Sequence, residues 1–95
     1  MDSLHLHIIS PEHKVFDGEV ESITLPGTIG KFAMLPGHAP IVSSLVAGEM
    51  LYVPKEGGEV QTLAIDGGFV EQHNNEATVC VELSNSTSSP NEKKA

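Results

Sequence analysis

The chain has 95 residues, a mass of 10.1 kDa and a formal net charge of −8, with five basic and 13 acidic residues. This length allows one domain with a modest core. The scattered lysines exclude the basic patch typical of nucleic-acid binders, and an anionic membrane surface would repel the chain. The single cysteine, Cys80, excludes an internal disulfide, and residues 1–5 do not resemble a signal peptide, so we expect a cytosol-facing protein.

The N-terminal quarter shows the period-two alternation of half-buried strands. Apolar and polar residues alternate over 4–8, which predicts a first strand, and residues 10–13 predict a turn. The Asp17-Gly18 pair predicts a second turn. The apolar phase changes within 19–25, and a β-bulge near Glu21-Ser22 would restore it.

Glycine and proline punctuate the middle of the chain. Residues 26–30 predict a turn-rich loop. Residues 36–40 read Pro-Gly-His-Ala-Pro, in which two prolines fix φ and the glycine is free to take a positive φ. The segment predicts a rigid loop, which serves either as a corner of the fold or as a preorganised contact for another protein that Ile41 and Val42 could extend.

The rest of the chain predicts further short strands and then a polar tail. Turns are expected at 55–58, at 66–68 and at 73–76, with strands between and after them. Eight to ten short strands are typical of an all-β sandwich or barrel. Residues 84–95 contain no apolar side chain larger than alanine, so we expect a domain over 1–83 and a disordered tail after it.

Histidines suggest a metal site as an alternative. His5 and His7 form a His-x-His pair that, together with His38, could supply ligands in a cupin-like β-barrel metalloenzyme. Because the apolar residues of the first strand are expected to face inward, the paired histidines are expected to lie outside as solvated side chains. Neither Cys80 nor the Ser43-Ser44 pair carries a motif for nucleophilic catalysis. We therefore predict no catalytic residue, metal or cofactor.

Four strings are specific enough, in their order and spacing, to indicate a family. They are residues 4–18 (Leu-His-Leu-His-Ile-Ile-Ser-Pro-Glu and, further on, Val-Phe-Asp-Gly), residues 19–25, the Leu-Pro-Gly-His-Ala-Pro-Ile string at 35–41, and Ile-Asp-Gly-Gly-Phe-Val-Glu at 65–71. Over residues 4–83 the chain resembles the N-terminal β-sandwich domain of the epsilon subunit of F-type ATP synthases. The resemblance implies a ten-stranded sandwich of two five-stranded sheets.

The same resemblance implies a function. It implies a non-catalytic rotor subunit of the central stalk, peripheral to the cytoplasmic face of the inner (plasma) membrane, that couples proton-driven ring rotation to ATP synthesis. Its implied partners are the gamma subunit and the c ring. The implied gamma contacts are Ser10, His38, Ala39, Pro40, Ile41 and Ser43, and the implied ring contacts are Gly30, Lys31 and Phe32.

Two departures from the family pattern affect these expectations. Lys31 stands where the family commonly has an acidic residue, which reverses the charge at the expected ring contact. Full-length members continue after the sandwich with an α-helical hairpin, in place of which this chain has the polar stretch 84–95. We therefore expect a short form without helix-mediated inhibition or a nucleotide site, whose uncovered contact face would allow self-association when isolated.

Overall fold

The computed structural model describes residues 3–84, which form seven β-strands. These residues include no helix, and so none that could cross a membrane. The all-β prediction is confirmed. The strands are β1 (Leu4–Ile9), β2 (Lys14–Gly27), β3 (Gly30–Met34), β4 (Ile41–Leu45), β5 (Gly48–Pro54), β6 (Gln61–His73) and β7 (Glu76–Leu83).

Seven strands replace the expected ten because β2 and β6 are long and take different partners along their length. Residues 14–20 of β2 pair with β1, and the rest of that strand pairs with β5 and β3. Residues 61–65 of β6 pair with β5, and residues 65–73 pair with β7. When each half of β2 and β6 is counted as a separate segment, the first layer has five segments in the order β2-β1-β7-β6-β4. The second layer has four segments in the order β3-β2-β5-β6.

Register shifts occur where the two long strands change partners. One lies between Val20 and Ser22, and confirms the bulge expected there. The other lies between Ile65 and Gly67. An extra residue in one strand bends it and increases its twist, which lets the same strand serve both layers.

Two predicted turns are wrong, since the structure places both inside strands. Asp17 and Gly18 pair with His7 and Leu6 in the middle of the β1–β2 ladder. The glycines of the 66–68 segment lie in β6 beside its bulge. Here glycine allows close packing instead of a change of chain direction, a use that sequence composition does not distinguish from a turn.

The apolar alternation of β1 sets the orientation of the sandwich. Leu4, Leu6 and Ile8 are fully buried, so His5 and His7 lie on the outer face. The core between the layers is completed by Val20, Ile23, Leu25, Met34, Leu45, Met50, Ile65, Val70, Ala77, Val79 and Val81.

The ends of the last strand are also defined. Asn74 and Asn75 connect β6 to β7 with φ values of 54° and 59°, as in a type I′ hairpin, so the turn expected at 73–76 is confirmed. After β7, the backbone N–H of Ser84 donates to the carbonyl of Ala64 at 3.2 Å. The rest of the polar stretch expected to be a tail, 85–95, lies outside the described residues.

Candidate functional site

The loop between β3 and β4 is tied to the end of β6 by two amide side chains. The backbone N–H of Gly37, which has a φ of 90°, donates to Oδ1 of Asn75 at 2.7 Å. Gln72 is 1% exposed, and with its amide nitrogen turned toward the loop it donates to the carbonyls of Ala39 at 2.8 Å and His38 at 3.3 Å. These three bonds restrain the Pro-Gly-His-Ala-Pro segment, as expected of a preorganised loop.

An exposed row of apolar side chains crosses the outer face of the five-segment layer. Phe69 pairs with Cys80 across β6 and β7, and Cys80 pairs with Ile9 on β1. Ile9 is 37% exposed, Phe69 is 49% exposed, and Val42 on the edge strand β4 is 73% exposed. We call Ile9, Val42, Phe69 and Cys80 the apolar stripe. Its centre forms a shallow hollow that also includes Pro11.

Carboxylates border the apolar stripe on both sides. Glu71 lies opposite Val42 in the β4–β6 ladder. At the other end of the layer, Glu12, Asp66 and Glu82 line a neighbouring depression. An apolar centre with an acidic border favours a protein partner that presents apolar side chains among basic ones.

The expected gamma contacts do not all lie on this outer face. His38, Ala39 and Pro40 lie on the tied loop, which leads into β4. Ser10 is 5% exposed, and its hydroxyl donates to the carbonyl of His13 at 3.0 Å, so it fixes the turn after β1. Ile41 and Ser43 lie opposite the buried Gln72 and Val70, which turns both side chains toward the interior.

The outward surface is formed by Val42, which was expected to extend the loop contact, together with Ile9 and Phe69, which the sequence did not single out. Val42 alternates with Ile41 and Ser43 and so faces outward. Ile9 comes directly after the buried Ile8 and so faces outward, and Phe69 comes directly before the buried Val70 and faces outward for the same reason. An apolar residue at an outward-facing strand position could have indicated this surface. Such a residue is recognised only when it is already known which residues of the strand face the core.

The three expected ring contacts also separate. Gly30 and Lys31 are exposed at the β2–β3 hairpin. Phe32 is half-buried and packs against the core, and its ring lies 2.9 Å from where a side-chain carbon on Gly27 would stand. The fully exposed apolar side chain at this hairpin tip is Ile29, which the sequence did not single out.

Beside the apolar stripe, His5 lies between two carboxylates. Its Nε2 is 2.5 Å from Oδ1 of Asp17 and its Nδ1 is 2.7 Å from Oε2 of Glu19. His7 reaches the same Asp17 oxygen, with its Nδ1 at 3.5 Å. The side chains of Ser3 and Lys14 complete the group, bonded to Glu19 and Asp17 respectively.

Protonation states follow from these contacts. The hydrogen bond to Asp17, and after it that to Glu19, raises the pKa of His5 above its ordinary 6.5. The bond from His5 lowers the pKa of Asp17, and bonds from Ser3 and then His5 lower the pKa of Glu19. The His5 contribution to stability is therefore complete below pH 6.5 and is lost as pH rises through the raised pKa. The carboxylate contributions are lost as pH falls through the lowered pKa values.

We expect the ring proton of His5 in an NMR titration, with chelator in the buffer, to report a midpoint above 6.5. Asp17→Asn removes the acceptor that contributes most to this shift, so the midpoint should fall. His5→Gln identifies the resonance by its disappearance. Equal midpoints in the wild-type and Asp17→Asn proteins would contradict this assignment.

The cupin-like alternative has no support. Among residues 3–84, His5 and His7 gather with Asp17 on the outer face, and His38 is not in that group. The side chain of His38 instead contacts the carbonyl of Ala39, with its Nδ1 at 2.6 Å. The histidines thus do not converge inside a barrel, as a cupin-like centre requires.

Fold and surface together define a small β-sandwich with an exposed apolar stripe on one layer and a tied loop beside it. The sequence profile described as ATP synthase, Delta/Epsilon chain, beta-sandwich domain matches residues 3–84, and the chain belongs to this family. An ATP synthase epsilon chain of Geobacter metallireducens is 40% identical over 81 residues, which cover 85% of this chain and 57% of that one. One from Prochloron didemni is 43% identical over 79 residues, covering 83% and 57%.

Solved structures show the same fold at lower sequence identity. A chain in the mitochondrial ATP synthase of Euglena gracilis, in a structure of OSCP, F1 and c-ring, aligns with a TM-score of 0.77 at 19% identity and covers 97% of this chain and 70% of that one. A chain from the central stalk and c-ring of the Tetrahymena thermophila enzyme gives 0.70 at 17% identity, covering 97% and 75%. The chain spans 57% of the length of the first relatives it matches, which leaves their remaining part without a counterpart in the alignment.

Proposed function

We propose that this chain is a non-catalytic rotor subunit of an F-type ATP synthase, which binds the gamma subunit and the c ring and couples proton-driven ring rotation to ATP synthesis. It belongs on the cytoplasmic face of the inner (plasma) membrane, held there through its protein partners. Family membership and the names of the relatives support this proposal. A close-packed sandwich resists deformation, which suits a part that must transmit torque.

The observation that carries the proposal is the apolar stripe beside the tied loop. Phe69 and Val42 are apolar, well exposed and fixed on neighbouring strands of one layer. Large side chains of this kind act as anchors when a partner excludes water from them. We assign the stripe, with His38, Ala39 and Pro40, to the gamma subunit.

The β2–β3 hairpin is the surface we assign to the c ring. Ile29 is fully exposed at its tip, and Gly30 and Lys31 follow it. The tip joins two strands of the four-segment layer and so belongs to a different part of the fold from the stripe. Two separate surfaces are what a subunit between the stalk and the ring requires.

Binding to the gamma subunit of the same organism tests the proposal. We expect a stable complex with the unmodified chain in isothermal titration calorimetry. Phe69→Glu should weaken it by about tenfold or more, because the substitution places a charge at a desolvated anchor within an acidic border.

Val60→Glu is the matched control. Val60 is 57% exposed but lies in the connection between β5 and β6. Its substitution adds the same charge at another exposed apolar position and should leave the affinity unchanged. Equal losses in the two variants, or an unchanged affinity for Phe69→Glu, would remove the stripe as the gamma surface.

A further inference from the structure

We propose that His5, His7 and Asp17 bind a single divalent transition-metal ion, with Zn²⁺ as the best-matched ion, on the outer face of the sandwich. The three side chains come from two neighbouring strands. His5 and His7 are alternate residues of β1 and share one face, and Asp17 lies directly opposite His7 on β2. One ring nitrogen of each histidine and one carboxylate oxygen of Asp17 all lie within 4.8 Å of one another.

The spacing of these atoms suits a tetrahedral ion. Ligands at zinc distances of 2.0–2.2 Å stand roughly 3.4 Å apart in a tetrahedron. The Nδ1 atom of His7 and Oδ1 of Asp17 are 3.5 Å apart. The Nε2 atom of His5 is 2.5 Å from the same oxygen, and an ion replaces the hydrogen bond there by a slight opening of the two side chains. The fourth position is left for water.

A further carboxylate orients the first histidine for this role. Glu19 Oε2 lies 2.7 Å from Nδ1 of His5, so it holds a proton on that nitrogen and leaves Nε2 to face the ion. A carboxylate behind a ligating histidine is the usual partner of zinc-bound imidazole. Glu19 is itself fixed by the hydroxyl of Ser3.

Access and chemistry also favour a borderline-soft ion. The side chains of His5, His7 and Asp17 are 32%, 30% and 33% exposed, so an ion reaches them without any opening of the fold. Two imidazoles with one carboxylate suit zinc better than magnesium or calcium, which prefer all-oxygen sites. Lys14, whose Nζ lies 3.1 Å from Oδ2 of Asp17, opposes the ion by its charge, but it is 60% exposed and free to turn into solvent.

Calorimetric titration of ZnCl₂ into the tag-free 95-residue chain tests the proposal, with nitrogen chemical shifts of the histidine rings as a second readout. We expect one ion per chain and shifts at both His5 and His7. His7→Gln and Asp17→Asn should each lower the affinity about tenfold or more, and Glu19→Gln should lower it by about tenfold. Lys14→Gln should raise it.

His13→Gln is the control, because His13 is exposed in the turn after β1 and is not in the cluster. It should bind zinc as the unmodified chain does. Circular dichroism confirms that each variant is folded before titration. Absent binding, an unchanged affinity in His7→Gln, or equal losses in His7→Gln and His13→Gln would overturn the site. None of these results bears on gamma binding, which is assigned to other residues.

Discussion

Gly68→Ala is expected to destabilise the domain by about 3 kcal/mol or more, among the large effects for one methyl group. A side-chain carbon at this position would stand 2.1 Å from the carbonyl oxygen of Cys80 and 2.9 Å from Cα of Val81. Both obstacles are backbone atoms of β7, so no rotamer change relieves the clash. The φ of 151° adds strain for any residue with a side chain.

Urea unfolding followed by far-ultraviolet circular dichroism measures this loss. A destabilisation of that size lowers the melting temperature of a domain this small by about 12 °C or more. Gly18→Ala is the matched control, because Gly18 also lies within a long strand but without a positive φ. Its new methyl group would meet the far end of the Phe16 ring at 3.2 Å, which can shift. Similar losses in both variants would show that strand glycines in general, and not this close approach, account for the cost.

The same glycine shows why the sequence predicted a turn where the structure has a strand. Asp-Gly pairs carry the local signature of tight turns at both 17–18 and 66–67. Whether such a glycine turns the chain or admits a neighbouring strand depends on what lies across the sheet. For Gly68 that neighbour is the backbone of Cys80 and Val81, twelve and thirteen residues later, and the residues around Gly68 give no sign of it.

Alternation, in contrast, predicted β1 and β7 and their inward faces correctly. It succeeded there because both strands bury one face and pair with each other at the centre of their layer. It failed to count strands because β2 and β6 continue through their bulges from one layer to the other. A bulge adds one residue and so shifts the alternation of apolar and polar residues along the strand. In the sequence, such a shift looks like the end of one strand and the start of another.

The candidate surfaces were only partly predictable for the same reason. The loop at 36–40 was found because its stiffness is local to five residues. The apolar stripe was not, since it joins Ile9, Phe69 and Cys80 from three strands. The pairing of His7 with Asp17 was hidden by the turn expected at Asp17. Surfaces that cross strands become visible only when the register is known.

Gln72→Met is expected to loosen the 36–40 loop without opening a large cavity, because methionine has a similar length and shape. The amide of Gln72 is buried and donates to Ala39 and His38, so its removal takes away hydrogen bonds worth about 1–3 kcal/mol in total. We expect the free energy of unfolding to fall by that amount in urea titrations. Amide hydrogen exchange at Gly37 and His38 should accelerate, as the loop loses one of its two ties.

Gln61→Met provides the comparison, since Gln61 is exposed at the start of β6. It should change neither stability nor loop exchange appreciably. If the tied loop is part of the gamma surface, Gln72→Met should also weaken gamma binding by more than its effect on the folded fraction explains, because a loosened loop must be ordered again on binding. Unchanged exchange at Gly37 and His38 would mean that Asn75 and the two prolines hold the loop unaided. In that case Gln72 would serve the core alone, and the rigidity of the loop would come from its own sequence.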